Sequence, residues 1–142
     1  MNDGTYTGKK QFGVTCGAFD LLHPGHLSYF REAKYHCETL IVLLQTDPAI
    51  DRPGVKSKPI QPVSHRSFQL WSCEYVDHVL VYETEADLYE LLQLINPDIR
   101  FLGEDYVGKS FTGDDLNIPI YYCKRSHALS TTVLRNKIKE SK

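Results

Sequence analysis

The sequence predicts an α/β fold: a doubly wound parallel sheet with helices on both faces, in a single three-layer domain. Apolar runs alternate with helical patterns along the chain, which is typical of a parallel sheet. The run at residues 40–44 is apolar throughout, as expected of a strand covered on both faces. The length of 142 residues corresponds to one domain at ~150 residues per domain.

The predicted strands are short apolar runs that end at turn-forming residues or loops. In chain order they are residues 12–16, 40–44, 79–82, 99–102 and 118–122. In the expected strand order 3-2-1-4-5, strands one and four are neighbours where the winding reverses. Ligands bind beyond the carboxyl ends of the strands at such a reversal, so we expect a site at the loops after Cys16 and Leu102.

The predicted helices carry apolar residues at a spacing of three or four. They begin at His26, span residues 64–73 and 84–95, and follow Ser130. The third is the clearest, because Thr84 and Asp87 can cap its first turn and Asn96-Pro97 ends it. Residues 1–11 are expected to form a loose tail, so the domain would cover residues 12–142.

Composition excludes several classes of protein. The net charge of −2 argues against broad binding of nucleic acid or anionic membranes. No apolar run approaches the ~20 residues of a membrane span, and residues 1–11 contain no signal-peptide core. The four cysteines stand singly, which fits reduced thiols of a cytoplasmic protein better than disulfides. Collagen-like, membrane, disulfide-scaffold, disordered and multidomain proteins are therefore excluded.

The loop after the first predicted strand contains His23-Pro24-Gly25-His26. Helix N-termini bind anions, so two imidazoles here could donate hydrogen bonds to phosphate oxygens. His-x-x-His can also hold zinc if a carboxylate or thiolate completes the site. A pair of ordinary surface histidines is the third interpretation, and the two residues by themselves favour none of the three.

Residues 46–63 form a long polar loop, and its length favours a functional role. It carries Arg52, Lys56 and Lys58, and Arg66 opens the next helix. Such a cationic loop could close over a polyphosphate, although a solvated surface loop explains these charges equally well.

A second motif, Gly103-x-x-x-x-Gly108-Lys109-Ser110, matches the P-loop pattern and follows a predicted strand. A true P-loop runs directly into a helix, whereas residues 111–115 predict none. Glu104 and Asp105 would also place negative charges inside the phosphate nest. We therefore interpret Asp105 as an acceptor for sugar hydroxyls or a base. Near the C-terminus, a cation followed by three hydroxyls at a helix start predicts another anion site, since capping explains only one hydroxyl.

Two segments together resemble the cytidylyltransferase-like nucleotidyltransferases. They are Gly17-x-Phe19-Asp20-Leu21-Leu22-His23-x-Gly25-His26 and Arg125-Ser126-x-x-x-Ser130-Thr131-Thr132. The resemblance covers about residues 12–138 and is greatest to the glycerol-3-phosphate cytidylyltransferases of this family. It implies a Rossmann-like fold and transfer of a nucleotidyl group from a nucleoside triphosphate to a phosphorylated alcohol, with release of pyrophosphate.

The resemblance also implies a role for each matching residue. The catalytic residues would be His23, His26 and Lys56. The nucleotide would be bound by Gly17, Phe19, Gly25, Asp105, Arg125, Ser126, Ser130 and Thr131. The phosphorylated substrate would be bound by Asp20, Lys58 and Arg66. Magnesium would accompany the triphosphate, mostly through phosphate oxygens and water, and the assembly would be a homodimer.

We therefore predict transfer of CMP from CTP to a small phosphorylated alcohol, foremost glycerol 3-phosphate. The chain departs from that pattern at Glu74, where an arginine is typical, and at Ser126 and the following His127-Ala128. Residues 84–98 are also similar to heptose-phosphate adenylyltransferases. The alternatives are therefore an adenylyltransferase that uses ATP and a sugar phosphate, or a nucleotide-binding protein without catalysis.

Overall fold

The computed structural model describes residues 9–124 and 131–140. The strands are β1 (Lys10–Gly17), β2 (Cys37–Gln45), β3 (His78–Tyr82), β4 (Ile99–Gly103) and β5 (Ile120–Cys123). The helices are α1 (Pro24–Tyr35), α2 (Val63–Trp71), α3 (Glu85–Ile95) and α4 (Thr131–Glu140). The sheet order is β3-β2-β1-β4-β5 and its strand pairs are parallel, which confirms the predicted topology.

Element boundaries differ from the predicted ones for local reasons. β1 begins at Lys10 because Lys10 pairs with Cys37 and its amide donates to the His36 carbonyl at 3.1 Å. β5 begins later than predicted, after Pro119, which has no amide hydrogen for the sheet. The predicted cap of α3 is confirmed: Thr84 and Asp87 exchange side-chain hydrogen bonds with each other's backbone amides.

The core lies on both faces of the sheet. On one face, buried strand residues such as Leu40 pack with Phe30 of α1 and Leu70 of α2. On the other face, Leu88 and Leu92 of α3 pack against the strands. No helix in the described part of the chain is long and apolar enough to cross a membrane.

A glycine at the centre of the sheet allows this packing. A Cβ atom on Gly13 of β1 would lie 2.6 Å from Cε2 of Phe101 and 2.8 Å from Sγ of Cys37. Only a residue without a side chain fits there, so the Phe101 ring of β4 and the Cys37 side chain of β2 can pack against β1 at this position.

Candidate active site

The carboxyl ends of the strands surround a cavity of about 260 Å³. The end of β1 and the end of β4 both line it, through Cys16, Gly17, Leu102 and Gly103. This is the edge at which the strand order predicted a ligand site. Burial raises the pKa of the Cys16 thiol, with the nearby Arg100 opposing that effect, so Cys16 is not an activated nucleophile.

The two histidines form a reciprocal cap at the start of α1. The helix begins at Pro24, two residues before the predicted start, because His23 is its N-cap. The Gly25 amide donates to Nδ1 of His23 at 3.0 Å, and the His23 amide donates to Nδ1 of His26 at 3.2 Å. Both Nδ1 atoms accept hydrogen bonds, so each neutral imidazole carries its proton on Nε2.

The surroundings keep both imidazoles neutral at neutral pH. Burial lowers the pKa of His23. Burial, and to a lesser extent the neighbouring His23, lowers the pKa of His26 to about 4. The ring centroids lie 4.0 Å apart, so protonation of one ring disfavours protonation of the other.

The environment of His23 distinguishes the three interpretations of the pair. Its side chain is 8% exposed, which does not fit an ordinary surface histidine. Its Nε2 atom is buried and has no hydrogen-bond partner among the described residues. A metal site would need further ligands, and no group of three His, Cys, Asp or Glu suited to a metal lies within residues 9–124 and 131–140. The donor capacity of Nε2 fits an anion best.

The loop between β1 and α1 is conformationally strained. Phe19 and Leu21 have φ angles of 46° and 51°, in the left-handed region that non-glycine residues rarely adopt. The Phe19 ring lies 5.8 Å from the His26 ring and 5.1 Å from the Phe30 ring, centroid to centroid. Phe19, predicted to bind nucleotide, thus packs between the core and His26 and orients the imidazole.

Asp20 holds this loop to the segment before α2. Its carboxylate accepts hydrogen bonds from the amides of Ile60 at 2.7 Å and Gln61 at 2.9 Å, and it forms an ion pair with Arg135 of α4. Burial by itself would raise the pKa of Asp20, but these donors outweigh it and hold the pKa below its usual range. The geometry supports a positioning role rather than the predicted substrate contact.

Arg66 also joins this loop to segments that are distant in sequence. Its guanidinium is 2% exposed and donates to the backbone carbonyls of Gln61, Ala18, Gln45 and Thr46, at 2.6–2.9 Å. A cation with so many protein acceptors is a clamp between segments, so the geometry does not support the predicted hold on a substrate anion. Gln61, whose side chain accepts from the Leu21 amide at 2.9 Å, completes this clamp and was not predicted.

The cations of the long loop are divided between two places. Arg52 and Lys56 are exposed and line the cavity, so this part of the loop faces the carboxyl edge. Lys58 is exposed and is not part of the lining. Lys56 is therefore the better placed of the two lysines to meet a phosphate at this cavity.

The segment after β4 is not a P-loop. Residues Glu104–Tyr106 form one 3-10 turn, and turns rather than an α-helix follow Lys109 and Ser110. Asp105 lies in that turn and is exposed. The predicted contacts at Arg125, Ser126 and Ser130 lie outside the described residues, and Thr131 is the first residue of α4.

Two further charged residues at the cavity were not predicted. Arg100, in β4, is 2% exposed and lines the cavity together with Glu85, the first residue of α3. The available signal was a charged residue inside an otherwise apolar strand, Ile99-Arg100-Phe101-Leu102. Burial of a charge at such a position costs free energy unless protein groups or a ligand form hydrogen bonds with it.

The chain matches a known family model and is similar to several known proteins. A family model described as cytidylyltransferase-like matches residues 14–137. The bifunctional protein HldE of Aliarcobacter butzleri is 36% identical over 132 residues, 93% of this chain and 28% of that protein. HldE of Helicobacter pylori strain HPAG1 is 36% identical over 133 residues, with coverages of 94% and 28%. The chain thus spans about a quarter of the length of these relatives.

Solved structures show the same fold. A lipopolysaccharide core biosynthesis protein of Thermoplasma volcanium superposes with a TM-score of 0.64 at 25% identity, and the match covers 82% of this chain and 97% of that one. Pantothenate synthetase of Thermus thermophilus superposes with a TM-score of 0.57 at 14% identity, over 93% and 66% of the two chains. The second likeness concerns the fold alone.

Proposed function

The chain belongs to the cytidylyltransferase-like family, and from that membership we propose that it is an adenylyltransferase, which transfers AMP from ATP to a sugar phosphate and releases pyrophosphate. The observation that carries the proposal is the buried Nε2 of His23, without a partner among the described residues, at the N-terminus of α1. A neutral imidazole and a helix dipole both favour an anion at this point, and a triphosphate is the anion that such a reaction supplies.

The predicted transfer of CMP from CTP to glycerol 3-phosphate is wrong. The curated relatives that match the chain are HldE proteins, and this finding supports the heptose-phosphate adenylyltransferase alternative instead. The error has a physical reason. The His-x-Gly-His and Ser-Thr-Thr segments on which the prediction rested are interpreted as anion sites. CTP and ATP carry the same triphosphate, so these segments do not select the base.

The reaction needs positioning and charge neutralisation more than a covalent nucleophile. A phosphate oxygen of the acceptor bonds to the α-phosphorus of ATP, and the bond from that phosphorus to the bridging oxygen breaks. The electron pair leaves with pyrophosphate. In this proposal, Nε2–H of His23 and of His26 donate to phosphate oxygens as negative charge builds, and Lys56 neutralises charge from the loop.

Magnesium is part of the proposal, since nucleotidyltransferases commonly use it. The α1 N-terminus offers imidazole and amide donors but no oxygen ligand of the kind that Mg²⁺ prefers. The ion would therefore enter on the triphosphate and, when bound, neutralise charge on its oxygens.

The remaining assignments stay part of the proposal. The nucleotide would be bound by Gly17, Gly25, Asp105, Arg125, Ser126, Ser130 and Thr131. Residues 12–142 would form the catalytic domain, and two copies of the chain would form a homodimer.

Pyrophosphate release tests the proposed function. The purified chain is incubated with Mg²⁺ and each of ATP, CTP, UTP and GTP, paired with heptose 1-phosphate, hexose 1-phosphates or glycerol 3-phosphate. We expect release with ATP and a sugar phosphate, and little with CTP and glycerol 3-phosphate. Release with no pair would refute the enzymatic function, and release with CTP only would refute the choice of base.

A further inference from the structure

We propose that the cavity at the carboxyl edge holds the polyhydroxy part of the acceptor, and that Glu85 and Arg100 determine specificity by bonding its hydroxyls. The inference rests on the proposed function and assigns the sugar to one part of the site. Four cavity-lining side chains carry it: Gln45 at the end of β2, Glu85, Arg100 and Thr112. We call them the polar wall.

The polar wall is a continuous hydrogen-bonded chain. Nη1 of Arg100 donates to the Thr112 carbonyl at 2.5 Å, and the Thr112 hydroxyl donates to Oε1 of Glu85 at 2.7 Å. Nε2 of Gln45 donates to Oε2 of Glu85 at 3.2 Å. One cation and one anion thus face the same cavity, and Thr112 bridges them with its backbone carbonyl on Arg100 and its hydroxyl on Glu85.

The polar wall keeps bonding capacity for a ligand. Arg100 uses two of its five N–H groups on protein acceptors, the Thr112 carbonyl and Sγ of Cys16. Its Nε is buried without a partner, and no carboxylate in the described ranges forms an ion pair with it. The Glu85 carboxylate has lone pairs beyond the two that are used. A hydroxyl both donates and accepts, so adjacent hydroxyls can bond Glu85 and Arg100 together.

The loop after β4 holds Arg100 in this position. The guanidinium lies over the Phe111 ring, 5.0 Å from its centroid. Gly113 has a φ angle of 87°, and a Cβ atom there would lie 3.1 Å from Nη1 of Arg100 and 2.8 Å from Cδ1 of Leu92. The segment that resembles a P-loop therefore leads into a wall of the cavity rather than a phosphate nest.

The cavity is separate from the place assigned to the triphosphate. His23 and His26 do not line it, although Gly17 at the end of β1 and Ala18 in the following loop do. The exposed cations Arg52 and Lys56 also line it, whereas Gln45 and Arg100 are buried. The cavity therefore has exposed cations at one part of its lining and buried polar residues at another. A sugar phosphate fits this arrangement, because its phosphate would meet the exposed cations beside the nucleotide and its hydroxyls would meet the polar wall. At about 260 Å³, the cavity has room for a sugar rather than a single water of ~30 Å³.

Binding without turnover tests the inference. The full chain is titrated calorimetrically with heptose 1-phosphate in the absence of nucleotide, and separately with Mg-ATP. We expect Glu85→Gln to weaken heptose 1-phosphate binding about tenfold or more, because a charged acceptor is lost. Thr112→Val, which removes one bridging hydroxyl, should act in the same direction. ATP binding should change less than about twofold in both variants.

Two controls sharpen the test. Glu90→Gln removes a carboxylate from an exposed position of the same helix and should leave both affinities unchanged. Glycerol 3-phosphate carries the phosphate but fewer hydroxyls, so its binding should respond less to Glu85→Gln.

Three outcomes would overturn the inference: a wild-type chain that binds no sugar phosphate, variants with unchanged sugar phosphate affinity, or variants that lose ATP affinity only. The last would identify the cavity as a base subsite. Sugar phosphate binding that Glu85→Gln weakens, without pyrophosphate release from any pair, would support the inference while refuting the proposed function.

Discussion

Each imidazole of the α1 cap has its Nδ1 engaged by the backbone, and this fixes what the other nitrogen can do. Nε2 of His23 and of His26 carries the ring hydrogen, so it can donate a hydrogen bond. It has no free lone pair with which to accept a proton as a base. The pair therefore suits stabilisation of charge on phosphate oxygens rather than proton abstraction. Low pKa values keep both rings in this form across the neutral range.

His26→Ala should reduce turnover at neutral pH by about 100-fold or more, because one donor to the developing charge is lost. Stability at neutral pH should fall by only ~1 kcal/mol, the size of a lost capping bond. His65→Ala, at an exposed position of α2, is the matched control and should change neither quantity. Near-normal turnover in His26→Ala would contradict the role in the transition state.

The same variant should alter the pH dependence of stability. The pKa of His26 is about 4 in the folded state against 6.5 in the unfolded chain. As the pH falls through this interval the unfolded chain takes up the proton first, so the free energy of unfolding declines. The decline attributable to His26 is ~3 kcal/mol. Denaturant unfolding at both ends of the interval should show a smaller loss in His26→Ala, and an equal loss would refute the low pKa.

At the level of elements, the site depends on how two loops are joined. The β1–α1 loop contains two strained residues, Phe19 and Leu21, and such conformations persist only where surrounding bonds hold them. Asp20 and Arg66 supply such bonds between the loop and segments that are distant in sequence. The clamp therefore positions His23 and the long cationic loop relative to each other.

Arg66→Lys should break the clamp, because a lysine cannot bond several carbonyls with one planar fork. We expect a loss of ~3 kcal/mol in the free energy of unfolding, measured with denaturant, and faster proteolysis within residues 46–62. Arg31→Lys, at an exposed position of α1, serves as the control. Unchanged stability combined with a raised KM for the acceptor would instead support the substrate contact implied by the resemblance.

For the whole molecule, the net charge of −2 is an average over an uneven distribution. In the described part of the chain, the charged residues that line the cavity at the carboxyl edge are three cations, Arg52, Lys56 and Arg100, and one anion, Glu85. A polyanion approaching the carboxyl edge therefore meets local positive charge despite the negative total.

Raising the salt concentration from ~0.05 M to ~0.5 M should increase KM for ATP several-fold with little change in kcat, because exposed charges are screened. Lys56→Ala should reduce this dependence, whereas Lys139→Ala, at an exposed position of α4, should not. Steady-state kinetics at each salt concentration measure both effects. A KM that does not respond to salt would contradict a role of the loop cations in nucleotide binding.

Much of the fold follows from local pattern. Apolar periodicity and the Thr84 cap are properties of neighbouring residues, so the order of the elements could be predicted. The alternation of strands and helices then indicates the order of strands in the sheet. The position of His26 near the start of a helix could also be predicted, whereas the role of His23 as the N-cap could not.

The roles of the buried charges required the three-dimensional structure. Arg66 bonds a carbonyl 48 residues away, and Arg100 bonds a sulfur 84 residues away. A sequence shows that a residue carries charge but not which distant group neutralises it. For this reason Arg66 and Asp20 were expected to contact substrate although they clamp loops, and Arg100 and Glu85 were overlooked although they line the cavity.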